Sequence, residues 1–351
     1  MKLLFYLGHP AHYHLFKHVI RAFKAGEVLV LIKSKDVLEQ LLIEEGVPYI
    51  NIDHKTGVKT VGNTLAIAKK FGRRMLGIAH VIRKEKPTML VGCSAELALL
   101  GKFFRIPSCA FFEDDLEKVK SFAMLAGPTA TYLICPDVCS AWKWEQKKIG
   151  HNSYHELAYL HPDHFKPDFS LVSHMFEKGT RNFIIRFSEL GAYHDVDKQG
   201  INDELALTLI DMLKPHGRVY ITSERPLPSQ FESYRIAIKS SHIHHALYFA
   251  DMFIGDSQTM TAESAVLGTP ALRFNDFVGE LGYLEDLEHT YGLTYGFRTS
   301  ESEGLLNKLD ELLNDTNLKE QWQQRRMKML DNKVNFANWM ISFLNTRNKK
   351  S

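Results

Sequence analysis

The stretch ADMFIGDSQTMTAESAVLGTPALRF, residues 250–274, places an apolar run, an acidic residue and a few small or flexible positions ahead of a helical run that stops at Gly268 and Pro270. DMFIG reads as a buried strand and PALRF as another, with one helix between them, the repeating unit of a parallel sheet. Ser257 and Thr259 are types that cap orphan N–H groups at a helix start, and Gly268 suits the residue just past a helix end. Two readings fit this helix start. One is an ordinary capped helix in a buried core; the other is an anion site, in which the backbone N–H groups of Gln258, Thr259 and Met260 and the positive helix end face a diphosphate. On the second reading Glu263, about one and a half turns further on, lies too deep for the phosphates but suits ribose hydroxyls, whose hydrogen bonds a carboxylate accepts. The glycine-rich nucleotide fingerprints are absent.

Outward from this unit the same layout repeats. Apolar runs near 2–8, 27–32, 48–52, 88–92, 108–112 and 131–134 predict six strands in the first half, with helical patterns between them. NFIIRF at 182–187 and GRVYITS at 217–223 then join DMFIGD and PALRF to predict four strands in the second half. Between the halves, ELAYLHPDHFKPDFS has the prolines and polar residues of a linker. From about residue 303 the pattern is helical with no strand to accompany it, and the last helix is expected to return to the first domain. This predicts an α/β fold with an N-terminal domain over 1–163, a C-terminal domain over 164–325 and a terminal helix over 326–351.

The chain has 351 residues, 45% hydrophobic and 24% charged, with a net charge of +2 and no apolar run near the ~18 residues of a membrane span. Nothing in this balance calls for nucleic acid. The apolar run at the N-terminus breaks at Gly8-His9-Pro10 without a small-residue cleavage site, and four cysteines give no disulfide framework, so a cytoplasmic protein is expected. KKFGRRMLGIAHVIRKEK, residues 69–86, is a basic, partly amphipathic helix: a solvated face or a contact with the inner face of an anionic membrane.

Ligands of open parallel sheets collect at the carboxyl ends of strands, so polar clusters there are candidate sites. GHPAHYH follows the first strand, GCSAE the fourth, EDDLEK the fifth, and SELGAYHD the first strand of the second half. His9 or His12 suits a general base, because an imidazole titrates near neutral pH. The histidines at 9, 12 and 14, HPDH at 161–164 and HIHH at 242–245 suggest a metal site but have no distal Cys, Asp or Glu partner at ligand spacing, so none is expected, and His242, His244 and His245 read as a surface helix start.

The donor segment, with Glu263 six residues after Ser257 and then Leu-Gly-Thr-Pro, resembles that of UDP-N-acetylglucosamine 2-epimerases and related GT-B glycosyltransferases. Together with GHPAHYHLFKHVIRAF, IIRFSELGAYHD, VYITSE and YGLTYGFR it also resembles a bacterial and archaeal family, domain-of-unknown-function family 354, as far as about residue 298. The resemblance implies a GT-B fold of two Rossmann-like, doubly wound domains facing a central cleft, with a nucleotide-sugar on the second and acceptor or catalytic groups on the first. It places Ser257, Gln258 and Thr259 at the diphosphate, where the Met260 N–H is a further candidate donor, Glu263 at the ribose, Arg186 and Ser188 beside the donor, and Asn275, Asp276 and the loop to Glu280 near its sugar. Glu113, followed by Asp114, matches an epimerase active-site glutamate. Three departures stand out. Gln258 and Thr259 replace two glycines; Arg186-Phe187-Ser188 replaces a histidine-arginine stretch, leaving His194 as the substitute; and Cys93 or Ser94 replaces an aspartate.

The implied function is a metal-independent glycosyltransferase without a cofactor. Its partners are a nucleotide diphospho-sugar donor, UDP-linked, and a glycan or lipid-linked acceptor of the kind that feeds cell-envelope polysaccharide. The alternatives are a 2-epimerase acting on the same donor and a non-catalytic nucleotide-sugar-binding protein.

Overall fold

A computed structural model of the chain describes residues 2–33, 36–52, 64–188, 200–236 and 238–348. Two compact units emerge, residues 1–159 with 335–351, and residues 160–334. His194 and most of its loop lie outside the described residues.

The first unit runs β1 (Leu3–Leu7), α1 (Pro10–Ala22), β2 (Val28–Ile32), α2 (Asp36–Glu44), β3 (Ile50–Asn51), α3 (Thr64–Glu85), β4 (Met89–Gly92), α4 (Ala95–Phe104), β5 (Ser108–Phe111), α5 (Lys120–Ala126), β6 (Tyr132–Pro136) and β7 (Lys148–His151). Its seven strands pair in parallel in the order β3-β2-β1-β4-β5-β6-β7. The strands are continuous apolar runs because helices cover both faces; LLFYL of β1 is buried at all five positions. The order reverses between β1 and β4, where Tyr6 stands in register with Gly92. That opens a crevice beyond the ends of these two strands.

The second unit runs β8 (Asn182–Phe187), α6 (Asp203–Leu213), β9 (Arg218–Ser223), α7 (Ile243–Phe249), β10 (Met252–Gly255), α8 (Gln258–Leu267), β11 (Ala271–Phe274), α9 (Gly282–Glu285), β12 (Thr294–Phe297), α10 (Ser302–Asn314) and α11 (Leu318–Asn332). Its five strands are again parallel, in the order β12-β11-β10-β8-β9, and reverse between β8 and β10. The chain then ends in α12 (Phe336–Asn348), which packs on α1 of the first unit.

All ten expected strands are present. Two edge strands, β7 (KIGH) and β12 (TYGF), join them unforeseen. Each is four residues with a central glycine and no run of branched apolar side chains, so neither stands out as a strand from sequence. Among the described residues no helix is long and apolar enough to cross a membrane.

Candidate functional sites

In the second unit the sheet reverses at β8 and β10, with Arg186 in register with Gly255. The two backbones approach closely there: a Cβ on Gly255 would come within 2.9 Å of the Arg186 Cβ. The sequence then turns directly into α8. Ser257 is its N-cap in extended conformation, its Oγ accepting the Met260 N–H at 3.3 Å while its carbonyl accepts the Thr261 hydroxyl at 2.7 Å. Met260 thus gives its N–H to the cap, and Gln258 and Thr259 contribute the first-turn donors without an intrahelical acceptor. No acidic residue lies in that turn to oppose an anion, and Thr259 is exposed. Gly268 ends the helix at φ +78°, a left-handed conformation that side chains other than glycine rarely take.

Asp256, just before Ser257, is the hub of this end of the sheet and was not singled out from sequence. Its Oδ1 accepts the Ser188 N–H at 2.6 Å, and its carbonyl accepts the Asn275 side-chain amide at 2.9 Å. One residue thereby ties together the ends of β8, β10 and β11. Burial raises its carboxyl above the usual aspartate range, opposed by the N–H of Ser188 and the charge of Arg225. Asn275 is fully buried and also accepts the Phe277 N–H, which fixes the start of the 275–280 loop. The Gly279 N–H reaches Glu285 at 3.0 Å, and half-buried Glu280 closes the loop. Arg186 donates to Thr222 at 2.9 Å and pairs with Glu224, so its charge is already partly answered.

Glu263 lies deeper along α8 and is buried. Its Oε1 meets the Nε2 of His244 on α7 at 2.9 Å, and His244 is itself buried. This corrects the expectation of a surface helix start at 242–245. The spacing of His244 with Ala246 and Leu247 puts the imidazole on the packed side of α7, where it can remain only with a polar partner. His242 and His245 are half-buried.

In the first unit His9 and His12 follow β1. The His9 Nδ1 accepts the Ala11 N–H as the cap of α1, with Pro10 in the first turn, and the His12 Nδ1 accepts the Gly8 N–H; both distances are 3.2 Å. A ring whose Nδ1 accepts a hydrogen bond carries its proton on Nε2 when neutral.

Two strands away in the sheet, Glu113 and Asp114 follow β5. The Glu113 side chain is 11% exposed; its Oε1 accepts the His155 N–H at 2.8 Å and its Oε2 lies 3.5 Å from the His155 Nδ1. Burial pushes the carboxyl well above the usual glutamate range; Glu156 and then Asp114 add to that, against the bond from His155. Burial also pushes the His155 imidazole down to about 3. Both shifts favour the uncharged forms of the two side chains. The cause of the desolvation is visible: Phe336 of α12 stacks on His155 with centroids 5.6 Å apart and planes 6° apart, and on His151 at 3.9 Å. His155, Glu156 and Phe336 were not foreseen, since 113, 155 and 336 meet only in the fold.

The structure thus gathers Arg186, Ser188, Ser257 and Asn275 around Asp256 and its neighbouring strand ends. Gln258, Thr259 and Met260 form the first turn of the helix beside it, Glu263 sits deeper against His244, and Glu280 stands at the far end of the loop. On the first unit His9 and His12 occupy one strand end, Glu113 and Asp114 another.

Comparison with known proteins follows the same lines. A family model described as protein of unknown function (DUF354) matches residues 1–281. No curated protein matches. Among solved structures, the chain is similar to S. aureus MnaA in its UDP co-structure, at 14% identity and a TM-score of 0.68 over 98% of this chain and 97% of that one. It is also similar to UDP-GlcNAc 2-epimerase from Neisseria meningitidis bound to UDP-GlcNAc, at 13% identity and a TM-score of 0.64 over 99% of each chain. A further similarity is to the spinosyn rhamnosyltransferase SpnG complexed with spinosyn aglycone, at 14% identity and a TM-score of 0.60 over 99% of each. At these identities the likeness establishes the GT-B fold, an α/β arrangement of two parallel sheets with flanking helices.

Proposed function

The chain belongs to the DUF354 family of proteins of unknown function, and on that premise we propose that it is a GT-B glycosyltransferase acting on a nucleotide diphospho-sugar, UDP-linked. The observation that carries this reading is the helix start at Ser257, set beside the reversal point of the second sheet with no acid in its first turn. The N–H groups of Gln258 and Thr259 hold the diphosphate, and the helix end adds about half a positive charge. Arg186 supplies a cation as it exchanges Glu224 for phosphate. The Glu263 carboxylate, oriented by His244, accepts from the ribose hydroxyls, while Ser188, Asn275 and Glu280 frame the donor.

The first unit supplies the acid and base groups. His9 and His12 hold oxygens of the acceptor, Asp114 takes the proton of the hydroxyl as it bonds to the sugar carbon that the diphosphate leaves, and Glu113 stands beside it as a second acid–base group. The diphosphate leaves stabilised by a helix end and a cation, which requires no metal. The acceptor is a glycan or lipid-linked hydroxyl, reached at the membrane surface through the basic helix at 69–86. A 2-epimerase is the second reading, favoured by one observation: Glu113 is a largely buried acid, its carboxyl raised by burial, at the position where the resemblance puts an epimerase glutamate.

Melting in the presence of UDP, UDP-N-acetylglucosamine and other nucleotides tests the binding step. A ligand at a hundred times its Kd stabilises by about 2.7 kcal/mol. A rise with a UDP compound is expected, and no rise with any nucleotide at millimolar concentration contradicts the proposal. Deuterium appearing at sugar C2 in heavy water identifies the epimerase; donor hydrolysis without it identifies the transferase.

A further inference from the structure

The outer face of the first unit formed by α3, α4 and α5 combines two properties that rarely coincide. Helices α3 and α4 lie on one side of the sheet, where Ile78, Ile82, Leu97 and Leu100 pack on Leu4, Tyr6, Leu31 and Leu90, and α5 packs on α4. The opposite side of α3, the C-terminal end of α4 and part of α5 are exposed. On α3 the exposed residues Lys69, Arg73, Leu76, His80 and Arg83 recur at alternating spacings of four and three, a single stripe along the helix. Lys102 and Arg105 continue the positive charge at the end of α4, and Lys118 and Lys120 at the start of α5. Across residues 68–128 nine Lys and Arg side chains are exposed, and none of the six carboxylates is. A protein with a net charge of only +2 has therefore concentrated one sign on one face.

The same face carries large apolar side chains that have not been withdrawn from water. Leu76 is 73% exposed and Phe103 72%, the two most exposed large hydrophobic residues described, and Met124 and Leu125 project from α5. Single exposed apolar residues are ordinary. Four on adjoining helices, set among nine exposed Lys and Arg side chains, are the composition of a surface that enters the headgroup layer of an anionic bilayer: lysine and arginine meet the lipid phosphates, and the apolar side chains pass below them. The Arg83 guanidinium lies over the Phe104 ring, 5.4 Å from its centre, which couples α3 to α4.

We propose that this three-helix face docks the protein on an anionic phospholipid bilayer. The proposal extends the membrane-contact part of the functional reading from one helix to a surface, and it is independent of whether a nucleotide-sugar binds. Nucleic acid would satisfy the charge but has no use for Leu76, Phe103 and Met124 directed outward, and that contrast decides the test.

The full chain is sedimented with vesicles of phosphatidylcholine and with vesicles in which part of it is replaced by phosphatidylglycerol, at low and high salt. Binding to the second alone, weakened by salt, is expected. Exchanging Lys69 and Arg73 for Glu (K69E, R73E) weakens it by about fivefold or more per residue. L76S with F103S weakens it as well, while L207S, an exposed leucine of the second unit, leaves it unchanged. Equal binding to both vesicles, no binding, or indifference to L76S with F103S overturns the proposal, as does duplex RNA bound more tightly than the anionic vesicles. Hydrogen exchange of the unsubstituted protein serves as a second readout should a variant fold poorly. Vesicles protecting residues 68–83 and 102–125 support the proposal, and protection confined to other residues overturns it. Nucleotide binding measured on the same preparation distinguishes failure here from failure of the donor site.

Discussion

The two sheets reverse direction in the same way, yet the groups at their reversal points and strand ends are of opposite character. In the second unit the site is made of backbone and short polar side chains, with Asp256 drawing three strand ends together and Ser257 opening α8. It can stabilise charge without changing protonation. In the first unit Glu113 pairs with His155, which stacks on Phe336, and burial shifts both toward their uncharged forms. Such a pair can give or take a proton but is poorly suited to holding an anion. One sheet end is suited to binding and the other to proton transfer, because one keeps its donors fixed and the other keeps its acid dry.

Removing the wall should break the contrast most strongly. Phe336 is fully buried, and replacement by Ala should cost about 3–5 kcal/mol in chemical denaturation. The same change should bring the His155 pKa back up from about 3 toward the ordinary histidine value, read from its ring proton shifts against pH. An unchanged titration would mean that the aromatic wall is not what suppresses the imidazole.

The binding end is challenged next through Glu263. Glu263→Gln retains the shape but removes the charge, and a charged hydrogen bond to ribose is worth about 1.5–3 kcal/mol, so UDP affinity should fall roughly 10- to 100-fold with little change at Glu113. His244→Gln should produce a smaller loss by releasing the same carboxylate from its partner. Equal affinity in both variants would reduce the pair to a core contact.

The pH dependence of stability separates the two ends again. The Glu113 pKa is raised by folding, so its stabilising share is complete below the unfolded value and is lost as pH rises toward the folded pKa. The His155 pKa is lowered, so its share is present above the unfolded value near 6.5 and is lost as pH falls toward about 3. Glu113→Gln should therefore stabilise the protein at neutral pH and flatten the rise in stability on acidification above about pH 4.3, where one proton accounts for at most about 1.4 kcal/mol per pH unit. The variant should lose turnover while keeping UDP affinity. The smallest effect is expected at the cap: Ser257→Ala should cost about 1 kcal/mol of stability and loosen UDP binding only slightly, because the donors at Gln258 and Thr259 remain.

The same contrast explains what the sequence made legible. The binding end is nearly contiguous: DMFIGD, the cap at Ser257 and the stop at Gly268 lie within eighteen residues, so strand, turn and helix each announce themselves locally. Even there Asp256 escaped notice, because an acid after a strand looks like a turn until its two bonds are seen. His244 was misjudged because a histidine-rich helix start looks exposed unless its distant partner, Glu263, is known. The proton-transfer end is assembled from β5, the segment after β7 and the terminal helix, and periodicity gives no indication that Phe336 would stack on His155. The short edge strands β7 and β12 were lost for a different reason, their lack of branched apolar residues.

A nucleotide seated at the helix start of Ser257 would cover the first turn of α8 and the neighbouring strand end. Hydrogen exchange of the full chain with and without saturating UDP measures this directly. Slowed exchange is expected over residues 257–264 and at the end of β8. Unchanged exchange there, or protection confined to the first unit, would contradict that placement.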